Sequence, residues 1–153
     1  MSSSKRLTPV LALLAAPLLM TALRAAPTLN PGLWRFRYHI QGLGGMQNKT
    51  KTMTFCYKKP QPVKPSGPKE CVPPAPQVQG STARWTVACT LNKGPVAMHI
   101  HSQGVIVYLD GGNAFRETTV THMVMPGMPG MPGGMRGYTY NVRVTGRRVG
   151  ACP

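Results

Sequence analysis

The chain has 153 residues, of which 18 are Lys or Arg and only three are Asp or Glu, so its formal net charge at pH 7 is +15. Three acids argue against hydrolysis by paired carboxylates, which needs two carboxyl groups facing one cleft. Four cysteines without CxxC or Cys/His spacing argue against structural zinc and in favour of disulfides.

The N-terminal stretch has the layout of an export signal. "MSSSKR" supplies a positive n-region, "LTPVLALLAAPLLMTAL" an apolar run of 17 residues, and Ala25 a small residue suited to cleavage. The run is shorter than the roughly 20 residues needed to cross a bilayer. Residues 1–25 are therefore expected to be removed as a signal peptide, with residues 26–153 forming one domain in the periplasm. Losing Lys5, Arg6 and Arg24 leaves 15 basic residues against three acids, a formal charge of +12. In an exported protein that charge favours an anionic envelope surface, or an acidic protein or glycan, met peripherally rather than by insertion.

From Leu33 onward the chain alternates apolar and polar residues with period two. "LWRFRYHI" puts Trp34, Phe36, Tyr38 and Ile40 on one face and Arg35, Arg37 and His39 on the other. "KTMTFCY", "ARWTVAC", "VAMHIH", "GVIVYLD", "AFRETTVTHMV" and "YTYNVRV" follow the same rule. No segment of the mature chain has a convincing helical period. The expected fold is all-β: an antiparallel meander of about seven strands, open or partly closed into a barrel. Turns are expected at "GLGGMQN", "LNKGP", "SQG" and "DGGN", with Asp110-Gly111 the strongest hairpin signal.

Two stretches break the pattern. Residues 58–80, "KKPQPVKPSGPKECVPPAPQVQG", are too rich in proline for a strand and favour extended polyproline conformation; they read as a stiff, exposed connector pinned by Cys71. Residues 124–135, "VMPGMPGMPGGM", lack backbone donors at each proline and cost entropy to order at each glycine, so they read as the tip of the last hairpin.

An even number of cysteines in an exported chain implies two disulfides, for which three connectivities exist. Cys71 and Cys89 bracket the connector and close a loop of 19 residues, which makes them the preferred pair. Cys56 and Cys152 remain, and their bond would hold the C-terminal tail to the end of the second strand.

Several landmarks occur in a characteristic order: "PGLW", "TFC", a second cysteine after a loop, "WTVAC", "GGNAF" and a terminal "GRRVGAC". From Gly32 and Trp34 through Cys56, Cys71, Trp85 and Cys89 to Gly150 and Cys152, the chain resembles the bacterial domain-of-unknown-function 3617 family. The resemblance implies a small periplasmic β-rich protein with paired cysteines. It carries no established reaction, so it assigns no catalytic residues. The loop between the first two cysteines, usually acidic in that family, is basic and proline-rich here.

The residues themselves point away from catalysis. No nucleophile elbow is present, and "GLGG" lacks the strand-to-helix context of a phosphate loop, so neither an enzyme nor a cofactor is expected. The leading binding candidates are Arg35 and Arg37 on the first strand with Arg143, Arg147 and Arg148 near the last. If those strands approach, the five form one patch for an acidic partner. Nucleic acid is disfavoured, because Tyr138 and Tyr140 share the face of Val142 and Val144 and belong to the core rather than to a base-stacking platform. His99 and His101 share an outward face, with His39 and His122 also exposed, but no carboxylate or cysteine completes a metal set. The alternative function is periplasmic Cu(I) binding by Met125, Met128, Met131 and Met135, with His122 nearby, since neutral thioethers suit a soft ion. Ordering that tip would cost about 1–2 kcal/mol per residue. An adaptable apolar tip needs no such order and is preferred.

Overall fold

A computed structural model describes residues 27–42, 48–73, 75–93, 96–125 and 136–153. The expected signal peptide and most of the Met-Pro-Gly tip lie outside the described residues. The strands are β1 (Gly32–Gly42), β2 (Lys49–Tyr57), β3 (Gln77–Gln79), β4 (Thr82–Lys93), β5 (Val96–Leu109), β6 (Ala114–Met125) and β7 (Arg136–Gly150). They form a single antiparallel sheet in the order β2-β1-β7-β6-β5-β4-β3. The edge strands β2 and β3 do not meet, so the sheet is open rather than a closed barrel.

Alternation explains which face is dry. Strand β1 buries Trp34 and Phe36 and exposes Arg35 and Arg37; β4 buries Ala83, Trp85 and Val87; β7 buries Val142 and Val144. Trp34 is fully buried against the rings of Phe36, Tyr57 and Phe115, and its indole N–H donates to the Asn30 carbonyl at 2.9 Å. The turn expected at Asp110-Gly111 is present as a short 3-10 turn. Asp110, Gly111 and Gly112 have φ of 50°, 60° and 87°, a run of left-handed backbone that glycine tolerates and most side chains do not.

Three expectations are corrected. "SQG" is not a turn: Ser102, Gln103 and Gly104 continue β5, so two expected strands are one. Gly104 is there because Trp85, directly opposite on β4, lies over it; a Cβ at Gly104 would stand 2.4 Å from the indole. Gly104→Ala should therefore cost about 1–3 kcal/mol through overpacking. Chemical denaturation of the variant measures this, and an unchanged midpoint would mean that Trp85 can move aside.

The second correction is that the connector is not without a strand. Its end forms β3, which is why the count of seven still holds. The third is that the connector is not simply exposed. It crosses the inner face of the sheet and covers the core. Gln61 pairs with Leu29, Val63 N–H donates to the Tyr108 hydroxyl at 2.9 Å, Ser66 sits on Glu117, and Gly67 lies against the Trp85 ring. Val63 and Cys71 are buried. Both disulfides are as expected: Cys71–Cys89 fixes the connector to β4, and Cys56–Cys152 fixes the tail to β2.

Candidate functional site

The two faces of the sheet carry different chemistry. On the outer face, the pairing of β1 with β7 sets Arg35 opposite Arg147, Arg37 opposite Thr145 and His39 opposite Arg143. The pairing of β7 with β6 adds Arg116 opposite Thr145. Arg35, Arg37, Arg116 and Arg147 line an open groove of about 420 Å³ together with the apolar side chains of Leu109, Ala114 and Val149. Leu109 and Val149 are 37% and 45% exposed, so the groove offers apolar contact beside its cations. The one ion pair among the described residues joins Arg147 to Asp110 at 3.9 Å, with both side chains largely exposed, so it neutralises little of this charge.

The structure thus brings together Arg35, Arg37 and Arg147 of the expected patch. Arg143 flanks them on the same face, one row further along the strands. Arg148 stands apart: it pairs with Trp34, the last position before the register shifts, and its Nε–H donates to the Pro31 carbonyl at 2.6 Å. Arg116 was missed, although its signal was present. The alternation that turns Phe115 inward turns Arg116 outward.

The histidines also lie on the outer face. His101 and His122 are direct partners across β5 and β6, with His99 one step away. His99 is hydrogen-bonded through Nδ1 to Thr90 at 3.0 Å and His122 to Thr139 at 2.8 Å. Among the described residues no three His, Cys, Asp or Glu side chains stand together as a metal site. Of the methionines proposed for copper, Met125 closes β6 and is half-buried, whereas Met128, Met131 and Met135 lie outside the described residues.

The landmarks of the sequence have clear places in this frame. Trp34 centres the aromatic core, Cys56 and Cys152 tie β2 to the tail, and Cys71 and Cys89 tie the connector to β4. A family model described as a protein of unknown function, DUF3617, matches residues 29–152. The chain belongs to the DUF3617 family. Neither the curated proteins nor the solved structures compared with it contain a match. The DUF3617 match runs from Leu29, which pairs with the connector, to Cys152, and so spans the whole sheet.

The inner face of this DUF3617 domain holds a second group that sequence reasoning passed over as a strand residue. Glu117 is 1% exposed. One carboxylate oxygen accepts Ser66 N–H at 2.7 Å and the hydroxyl of Thr119 at 3.3 Å; the other accepts the Ser66 hydroxyl at 2.6 Å. Burial pushes the Glu117 carboxyl above its usual range, opposed first by the Ser66 hydrogen bonds. The buried Trp85 N–H lies close enough to favour the charged form, yet it closes no hydrogen bond of ordinary geometry. The Tyr38 hydroxyl is also pushed up, by burial and then by the Glu117 charge. Here too the pattern carried a clue. Glu117 stands two residues from Phe115, on the face that alternation assigns to the core.

Proposed function

We propose that this is an exported, non-enzymatic binding module that meets an acidic partner or anionic envelope surface through the outer groove. Four arginines from three adjacent strands around an apolar floor are the observation that carries this reading. Arginine suits it because its planar fork pairs with phosphate and carboxylate in two-pronged fashion. The apolar floor suits an anionic amphiphile, whose head and tail could both be in contact. Two disulfides support the placement in the periplasm, where thiols are kept oxidised.

Co-sedimentation with vesicles tests the proposal. Binding to phosphatidylglycerol vesicles should exceed binding to phosphatidylcholine vesicles. It should also fall steeply between roughly 0.05 and 0.5 M salt, as the Debye length shrinks. Replacing Arg35, Arg37 and Arg147 together with Gln should lower the anionic-vesicle affinity about a hundredfold, since near a membrane surface each cation is worth about 1 kcal/mol. Equal binding to both vesicle types, or none to either, overturns the membrane reading.

A further inference from the structure

On the inner face a cavity of about 330 Å³ lies between the connector and the first two strands. Four rings line one side: Phe36 and Tyr38 from β1, Phe55 and Tyr57 from β2. Phe36 meets Phe55 and Tyr57 edge-on, at centroid distances of 5.1 and 6.0 Å, so these rings form one packed layer. The connector forms the other side, and Glu117 is among the lining residues. A water molecule's share of the liquid is about 30 Å³, so the space suits a small organic molecule rather than a single ion.

Glu117 is an unusual lining residue for this chain. In a protein with so few acids, one carboxyl is almost wholly buried, and no basic side chain forms an ion pair with it among the described residues. Its oxygens offer about four acceptor sites, and three are filled by Ser66 and Thr119. Lys64 borders the cavity from the connector, but its side chain is exposed. Aromatic ring faces attract cations, and a desolvated carboxylate does so more strongly. From the cavity, its aromatic wall and the unpaired carboxyl together we infer that this site binds a small organic ammonium ion, with Glu117 as counter-ion and Phe36, Tyr38, Phe55 and Tyr57 as its walls. It is separate from the outer groove and takes ligands of the opposite charge.

Three probes of similar shape and different head charge test the assignment by isothermal titration calorimetry: 2-phenylethylamine, 2-phenylethanol and 3-phenylpropionate. The ammonium should bind at least tenfold more tightly than the alcohol, and the carboxylate should not bind. Its affinity should hold or rise between roughly 0.05 and 0.5 M salt, because added ions screen the long-range repulsion of the net positive charge more than the buried pair. That trend is opposite to the one expected of the outer groove. Glu117→Gln should bring the ammonium-to-alcohol ratio close to one. Phe55→Leu, at a half-buried position in the wall, should lower ammonium affinity about threefold or more while losing less for the alcohol; it provides the test if the Gln variant does not fold. Absence of ammonium binding, equal binding of ammonium and alcohol, or a preference that survives both substitutions overturns the proposal.

Discussion

Glu117→Ala should destabilise the domain by about 3 kcal/mol or more, because it leaves Ser66 N–H, the Ser66 hydroxyl and the Thr119 hydroxyl facing an empty space. Glu117→Gln should behave differently. Its amide oxygen can still accept Ser66 N–H, its amide nitrogen can donate to the Ser66 hydroxyl, and it has no charge to desolvate. The folded carboxyl titrates above its ordinary value, so folding takes up a proton in the window between the unfolded and folded values. The stability gained from this protonation is fully present below the ordinary carboxylate range and is lost as pH rises through the folded value. Denaturant midpoints of the native protein and Glu117→Gln, measured as a pH series, should therefore diverge toward neutral pH in favour of the Gln variant. Parallel curves would show that the carboxyl folds without a change in proton affinity.

Removing the connector bond by replacing Cys71 and Cys89 with Ala should cost about 3 kcal/mol, the loop-closure value for a ring of this length. The loss should also be local. The connector would keep its Val63–Tyr108 and Ser66–Glu117 hydrogen bonds but lose the anchor beyond them. Amide hydrogen exchange should rise first in residues 67–79, while β5 and β6 stay protected. Uniform loss of protection across the sheet would mean that connector and sheet unfold as one unit.

What could be seen in the sequence, and what could not, follows from how far each signal reaches. Strand identity is a local property. Trp34 and Phe36 lie inward and Arg35 and Arg37 outward because neighbouring residues alternate, and that pattern is visible in eight letters. Gly104 was misjudged because "SQG" has local turn chemistry; its real constraint, the Trp85 ring, comes from another strand. The arginine groove was visible only conditionally, since its formation depends on β1 meeting β7, a pairing between opposite ends of the domain. The connector offered least. Proline suppresses both periodicities that reveal buried faces, so the inward roles of Val63 and Ser66 had no local mark. Glu117 is marked as a buried group only by its place two residues from Phe115, since its residue type alone points to the surface.

The pairing of β1 with β7 also bears on how the protein reaches this state. Strands β4 to β7 follow one another as successive hairpins, as do β1 and β2, and such contacts form between nearby parts of the chain. The seam between these two units sets Leu33 opposite Gly150, so it closes the largest loop in the fold. Contacts of that span are slow to form, because the entropy of closure is lost before they gain anything in return. The order expected from this topology is two early units that dock late, with Trp34 from one meeting Phe115 from the other. Cys71 and Cys89, close in the chain, can oxidise before that docking, whereas Cys56 and Cys152 belong to different units and wait for it.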